Sequence, residues 1–152
     1  MIKIFTKLPV LLVAIFVFSM FLVDSFNIFT NFDFRYQSEI SFIVLSFGVL
    51  LVAIGGYTFR KLRTTVNPMT PELTRVLVKD GIFRLSRNPM YIGFFAWLLA
   101  CALFIGNIAN FAFFPLYVFL VNKMYIIPEE EALGKLFGSE FEEYKNKVGR
   151  WF

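Results

Sequence analysis

Long apolar segments alternate with short charged ones along this chain of 152 residues. The alternation predicts helical spans at about residues 8–23, 40–59, 89–106 and 111–127. A spanning helix needs about 20 apolar residues to cross about 30 Å of hydrocarbon. The second stretch meets this length by itself, and the fourth spans only if Lys123 extends its amine to the interface and the helix continues to Ile127. The pattern therefore predicts an all-α integral membrane protein with four transmembrane helices.

Turn and helix signals organise the second half of the chain. The turn Gly106–Asn110 predicts that the last two spans form an antiparallel helical hairpin. Over residues 128–152 we expect an amphipathic tail helix, broken at Gly138 and restarted by a capping box of Ser139 and Glu142. Its apolar face, at helical spacing, comprises Leu133, Leu136, Phe137, Phe141, Tyr144 and Val148. We expect this tail to pack on the membrane surface or on the charged loop before the third span.

That loop, residues 60–88, carries two helix-start signals. The run Thr70–Glu72 is typical of a helix N-terminus and predicts a short helix that ends at about Lys79. Asn88 and Pro89 then predict the start of the third span, with Asn88 as the capping residue and Pro89 as the first helical residue.

Charges in the loops predict the orientation of the spans. Residues 60–88 carry seven basic and two acidic side chains, whereas residues 24–39 carry one basic and three acidic side chains. By the positive-inside rule the first loop is cytoplasmic, and both chain termini are then cytoplasmic too. The net charge of +4 follows from this asymmetry, so we do not expect a nucleic-acid partner.

Composition narrows the possible chemistry. The chain is 58% apolar and 17% charged, unlike most soluble proteins, and its length fits one domain over residues 1–152. It has no histidine, which removes His-based catalysis and His metal sites, and we expect no metal. The single cysteine, Cys101, is predicted to be a packing residue. No small-residue cleavage site follows the first span, so we expect a helix there and not a cleaved signal peptide.

Two polar clusters lie at the ends of these spans. The cluster Arg75–Tyr91 is either an anchor at phospholipid headgroups or an anion site, since free N–H groups at a helix start suit a carboxylate or phosphate. The glutamates of the cluster Glu129–Glu131 either occupy a first helical turn, where the helix dipole stabilises acidic residues by about 0.3–1 kcal/mol, or bind an amine, a cation or a ribose diol. Because the hairpin returns the chain to the same face, we expect Arg87 and Glu129 to line one pocket.

Three motifs follow one another in a fixed order between residues 65 and 150. They are Leu77-Val78-x-x-Gly81-x-Phe83, then Arg87-Asn88-Pro89-Met90-Tyr91-x-Gly93, then Glu129-Glu130-x-x-Leu133-x-x-x-Phe137-Gly138-x-x-Phe141-x-x-Tyr144. In order and spacing they resemble the isoprenylcysteine carboxyl methyltransferase and phospholipid methyltransferase group. The resemblance implies an integral-membrane enzyme that uses S-adenosyl-L-methionine to methylate a lipophilic small molecule or a lipidated acceptor.

The resemblance also implies site residues. Arg87 and Glu129 would be the catalytic pair, with Arg87 on the cofactor carboxylate and Glu129 on its amine or ribose. Tyr125 would contact the acceptor. It stands where eukaryotic members often carry Arg, which favours an acceptor other than prenylcysteine. Cofactor contacts are expected from Arg75, Val76, Leu77, Val78, Gly81, Phe83, Arg87, Asn88, Pro89, Met90, Tyr91, Glu129 and Glu130.

The sequence leaves the acceptor chemistry open. A carboxylate or thiolate needs no general base for direct methyl transfer, whereas an amine or phenol must lose a proton to Glu129 or to water. Orientation of the reactants is worth about 7–11 kcal/mol in the best cases. The alternative to an enzyme is a small accessory or lipid-binding membrane protein with a degenerate cofactor site. The oligomeric state is not predicted.

Overall fold

A computed structural model describes residues 9–26, 30–62 and 76–152. Short 3-10 turns lie at Gly81–Arg84 and Ile108–Ala112, and a π-helical turn lies at Asn122–Ile126. The described residues contain no β-strand, only one isolated bridge between Asn31 and Asn107, so they confirm the predicted all-α class. The helices α1 to α6 are Pro9–Ser25, Gln37–Lys61, Pro89–Ile105, Phe113–Val121, Ile127–Phe137 and Ser139–Lys147.

Two helical segments are long and apolar enough to cross a membrane. Helix α2 has 25 residues and contains an 18-residue stretch of mean hydropathy 2.3, and the segment Ile108–Phe137 has 30 residues and contains an 18-residue stretch of mean hydropathy 1.5. Helices α1 and α3 are apolar and have 17 residues each. Each of the four predicted stretches therefore lies on one of these helices. For most helix ends, the predicted and observed boundaries differ by only a few residues.

Helices α2 and α3 approach each other through glycines. A Cβ on Gly48 would lie 2.6 Å from the carbonyl oxygen of Gly93, and a Cβ on Gly93 would lie 2.7 Å from the carbonyl oxygen of Gly48. Nearer the start of α3, the Met90 side chain packs directly on Gly55. Small residues allow such close backbone contact between helices in membranes. The contact fixes α2 beside the first turns of α3.

Helices α3 and α4 form the predicted antiparallel hairpin. The Tyr117 hydroxyl donates a hydrogen bond to the Tyr91 carbonyl at 3.0 Å, and the Phe95 and Phe114 rings lie 5.1 Å apart. Gly106 ends α3 with a φ of 75°, a left-handed conformation that glycine adopts without strain. Helix α1 packs on this hairpin through the buried side chains of Leu12, Val13, Phe16 and Met20.

An apolar groove of about 450 Å³ lies between α1 and α2, with α3 as its floor. Cys101 lies on this floor beside Trp97, partly buried, as expected for a packing residue. The groove is formed because α1 and α2 both pack on α3.

The predicted start of a separate tail helix at Pro128 is wrong. The helix continues through Pro128 without a break, from Ile108 to Phe137. Proline has no N–H to donate and interrupts helical hydrogen bonding. Here the proline lies two residues after the π-helical turn, whose wider spacing already shifts the hydrogen-bond partners, so the helix continues past it.

Helix α6 begins after a break at Gly138, as predicted, but the predicted capping box is wrong. Gly138 occupies the capping position with a φ of 50°, and Ser139 is the first helical residue. The Glu142 side chain instead forms an ion pair with Lys145 at 3.1 Å. The glycine conformation makes the turn, so a side-chain cap is not needed there.

The tail packs on the loop that precedes α3, which was one of its two expected positions. Phe141 and Tyr144 form a small buried cluster with Leu77. Lys79 adds an ion pair to Glu140 at 2.6 Å. Leu136, expected on the apolar face, is exposed, whereas Leu133 and Phe137 of the same helix pack against the buried cluster.

The predicted helical end at Lys79 is also wrong. Residues 76–79 are not helical, and Thr70–Glu72 lie outside the described residues. Consecutive side chains Leu77 and Val78 are both buried in this irregular segment. Their tertiary contacts therefore outweigh the local helix signal.

Candidate functional site

A small cavity lies where the segment before α3 meets α5 and α6. Arg87 and Asn88 contribute to one part of its wall, and Glu129 and Glu130 contribute to another. As expected from the hairpin, the two polar clusters line the same cavity. Its volume is about 50 Å³, which is room for a few water molecules. A ligand of cofactor size therefore requires the walls to separate.

Glu130 is held between two arginines. Arg150 binds it with two hydrogen bonds, from Nε to Oε1 at 3.1 Å and from Nη2 to Oε2 at 2.6 Å. The Arg87 Nη2 lies 3.2 Å from the same Oε1. A bidentate arginine fork is the stronger of these contacts. Hydrogen bonding to Glu130 raises the pKa of Arg150 further, so the Arg150 guanidinium stays charged.

The Arg87 guanidinium has unused donors. Its Nε and Nη1 are buried and have no hydrogen-bond partner among the described residues, and its side chain is only 11% exposed. Leaving such donors unpaired costs about 1–3 kcal/mol or more, and arginine cannot escape this cost by losing its proton. Donors of this kind at a cavity wall fit an anionic group such as a carboxylate.

The main chain around Arg87 is fixed by the last turn of the chain. The Arg87 N–H donates to the Gly149 carbonyl at 3.0 Å. The Asn88 side-chain amide and the Ser86 hydroxyl both donate to the Arg150 carbonyl, at 3.0 and 3.3 Å. Three hydrogen bonds to the last turn therefore fix the backbone that carries the Arg87 side chain.

These contacts correct the predicted role of Asn88. Asn88 does precede the first helical residue, Pro89, as predicted, but the Asn88 side chain makes no capping hydrogen bond. The amide is engaged with Arg150 instead, and the Ser86 hydroxyl oxygen accepts a hydrogen bond from the Asn88 N–H at 3.0 Å.

Glu129 lies beyond Ile127, where the apolar part of the long helix ends. Burial chiefly, and repulsion from the neighbouring Glu130, raise the pKa of the Glu129 carboxyl to about 7. Near neutral pH this carboxyl is therefore close to balance between its charged and neutral forms.

The cavity has an aromatic side as well. The Phe83 ring packs edge-on against Phe59 at 5.4 Å, and the Phe83 carbonyl accepts a hydrogen bond from the Tyr144 hydroxyl at 2.6 Å. Burial raises the pKa of Tyr144, so its hydroxyl stays a donor. This bond fastens α6 to the loop that carries Arg87.

The structure brings together most, but not all, of the predicted site residues. Five of them are described but do not contribute to the cavity wall: Gly81, Pro89, Met90, Tyr91 and Tyr125. Tyr91 and Tyr125 stack in the helical core at 6.1 Å. Arg75 lies outside the described residues. The predicted residues that do line the cavity are Val76, Leu77, Val78, Phe83, Arg87, Asn88, Glu129 and Glu130.

Sequence reasoning missed Ser86 and Arg150. Their contact joins residues 64 positions apart, and neither residue belongs to a recognisable motif, so no local signal could have revealed it. Tyr144 was predicted as part of an apolar face and of the third motif, but not as a site residue. Within the described part of the chain, no three His, Cys, Asp or Glu side chains are arranged to hold a metal ion.

Fold and site define a helical membrane protein with a charged cavity at the end of its apolar helices. The phospholipid methyltransferase family matches residues 36–140, which cover most of the chain. The chain belongs to this family, and the resemblance found in its motifs is confirmed.

Several curated proteins are similar to the chain. The protein-S-isoprenylcysteine O-methyltransferase of Saccharomyces cerevisiae is 35% identical over 112 residues, which are 67% of this chain and 46% of that protein. The protein of the same name from Schizosaccharomyces pombe is 37% identical over 73 residues, 48% of this chain and 31% of that protein. The chain thus spans less than half the length of these two relatives. An uncharacterised Haemophilus influenzae protein is 36% identical over 62 residues, 41% of this chain and 98% of that protein.

Proposed function

We propose that this protein is an S-adenosyl-L-methionine-dependent methyltransferase that acts on a lipophilic acceptor at the cytoplasmic membrane face. Family membership and relatives named as O-methyltransferases support methyl transfer. The observation that carries the proposal is one cavity lined both by Arg87, with its unused donors, and by Glu129.

Each side chain has a task in this proposal. Arg87 binds the carboxylate of the cofactor through its Nε and Nη1 donors, and Glu129 binds the amine or the ribose. Val76 to Val78 and Phe83 supply the apolar wall for the adenosine. S-adenosyl-L-methionine, when bound, supplies a methyl group that its sulfonium charge already activates. The protein contributes orientation and exclusion of water, worth about 7–11 kcal/mol at best.

The acceptor is proposed to be lipophilic and to differ from prenylcysteine. Support comes from Tyr125, an uncharged residue packed on Tyr91 within the helical core. The apolar groove between α1 and α2 is a further place in this protein that suits hydrocarbon. Transfer to a carboxylate or thiolate needs no general base, which suits a chain without histidine.

We further propose that all four long apolar helical segments cross the membrane, with both ends of the chain in the cytoplasm. The hairpin supports this, because it brings the beginning of α3 and the end of the long Ile108–Phe137 helix to one face. The described basic residues just before α3, namely Lys79, Arg84 and Arg87, support a cytoplasmic position for this end under the positive-inside rule.

Calorimetric titration of the detergent-purified protein with S-adenosylhomocysteine tests the proposal. We expect binding by the wild type, and a loss of about ten- to hundredfold in Arg87→Ala and in Glu129→Gln, because a hydrogen bond to a charged group is worth about 1.5–3 kcal/mol. The matched control is Arg84→Ala, since Arg84 is exposed and paired with Asp80 at 2.7 Å, away from the cavity. Absence of binding by the wild type at millimolar ligand would instead favour the accessory membrane protein.

A further inference from the structure

Arg150 contacts both the backbone beneath Arg87 and the carboxylate beside it. Its carbonyl oxygen accepts hydrogen bonds from the Ser86 hydroxyl and the Asn88 amide, which flank Arg87 in the chain. Its guanidinium holds Glu130, the acidic neighbour of Arg87. One residue far away in the sequence thus determines both where Arg87 stands and how its partner is oriented.

Of the two arginines that contact Glu130, Arg150 makes more and shorter contacts with its carboxylate. Both carboxylate oxygens face the Arg150 fork, at 2.6 and 3.1 Å, whereas Arg87 reaches one oxygen through a single nitrogen at 3.2 Å. This arrangement leaves the Nε and Nη1 of Arg87 unpaired among the described residues. Without Arg150, Glu130 would be free to bind Arg87 in the same two-point fork, through Nη2 and one of the two open donors, which leaves only the other donor for a ligand.

We propose that Arg150 is a positioning residue of the candidate site, which keeps the Arg87 donors open to an anionic ligand by binding Glu130 and the backbone around Arg87. The inference rests on the proposed function, in which those donors receive the cofactor carboxylate. It assigns Glu130 to the support of Arg87 and not to ligand contact. It also extends the site beyond residue 140, where the family match ends.

The neighbouring contacts make Arg150 well placed for this task. The Gly149 carbonyl accepts a hydrogen bond from the Arg87 N–H. A Cβ on Gly149 would collide with the Phe152 carbonyl, so the turn that presents Arg150 requires glycine at this position. Trp151 packs against the main helical core. The segment is therefore anchored on both sides of Arg150, and its guanidinium is about one-third exposed, which leaves it outside the buried wall.

The test uses S-adenosylhomocysteine titration of three variants of the full chain in detergent. Arg150→Ala is expected to lower the affinity at least about tenfold, because Glu130 then competes for Arg87. The double variant Arg150→Ala with Glu130→Gln is expected to recover most of that loss, since a neutral amide no longer competes. Arg84→Ala, which removes an arginine from an exposed ion pair, is the matched control and is expected to bind as the wild type does.

Recovery of affinity in the double variant distinguishes positioning from a merely structural role. If Arg150 only stabilised the fold, Glu130→Gln would not restore the affinity. If Arg150→Ala unfolds too readily for titration, Arg150→Gln replaces it with the same two expectations. Provided that the wild type binds, two results would overturn the inference. One is a single variant that binds as tightly as the wild type, and the other is a double variant that binds as weakly as the single one. Failure of the wild type to bind would instead overturn the proposed function.

Discussion

At the scale of single residues, the site depends on the balance of charge around Glu129. Its carboxyl has a pKa of about 7, raised from an ordinary value of 4.5 by burial and by Glu130. A raised pKa means that ionisation of this group opposes folding. Its contribution to stability is full below pH 4.5 and is lost as the pH rises through about 7.

Ligand binding is expected to show the opposite pH dependence. The proposed role of Glu129 requires a carboxylate, so the affinity for S-adenosylhomocysteine should rise with pH and level off above about pH 8. Below about pH 7 it should fall by up to about tenfold per pH unit. Titration calorimetry across this range measures the profile.

Two variants serve as controls for this profile. Glu131→Gln, a change at the neighbouring exposed glutamate, should keep the wild-type pH dependence. The weak residual binding of Glu129→Gln should be independent of pH. A wild-type affinity that is flat from about pH 6 to about pH 8 would contradict the role assigned to Glu129.

At the scale of helices, the contact between α2 and α3 depends on the absence of side chains at its closest point. Gly48→Ala would place a Cβ 2.6 Å from the Gly93 carbonyl oxygen, a backbone atom that cannot move aside. We expect a destabilisation of about 1–3 kcal/mol, measured as a lower midpoint of thermal unfolding in detergent.

The matched control for this prediction lies in the same helix. A Cβ at Gly56 would meet no atom within 4 Å, so Gly56→Ala should be neutral, or stabilising by up to about 1 kcal/mol through helix propensity. Equal unfolding midpoints for the two variants would mean that the helices do not meet at Gly48.

The helices themselves were predictable, whereas several of their ends were not. Apolar run length and the Gly106 turn predicted the hairpin because those signals are local. The predicted side-chain caps at Asn88 and Ser139 were wrong, for two reasons. The Asn88 amide donates its hydrogen bond to the distant Arg150 carbonyl, and the backbone of Gly138 makes the turn before Ser139. Tertiary partners of this kind cannot be deduced from neighbouring residues.

At the scale of the whole molecule, the proposed four-span topology predicts which surface positions face the cytoplasm. Exposed Asp33 lies in the loop between α1 and α2, and exposed Lys147 lies at the end of α6. Single cysteines introduced there, by Asp33→Cys or Lys147→Cys in a Cys101→Ala background, report the side of the membrane.

A membrane-impermeant maleimide provides the measurement. In intact cells it should label Asp33→Cys, and it should label Lys147→Cys only after permeabilisation. The Cys101→Ala parent, which has no other cysteine, is the control for background labelling. Labelling of both positions in intact cells would contradict the three crossings proposed between them.

The cavity as a whole was predictable only in part. That Arg87 and Glu129 share a cavity followed from the hairpin, because an antiparallel pair of helices returns the chain to the same face. The ion pairs of Glu130 with two arginines did not follow, since they depend on how the tail folds back over the loop. The family resemblance narrowed the chemistry but was silent on this last turn of the chain.

The π-helical turn at Asn122–Ile126 has a consequence for the direction of the glutamates. Successive residues of an α-helix are rotated by about 100°, so the number of residues in this wide turn sets the angular phase of everything after it. A chain with one residue fewer between Val121 and Pro128 would keep all its motifs. It would nevertheless swing Glu129 and Glu130 about a quarter of the way round the helix, away from the arginines.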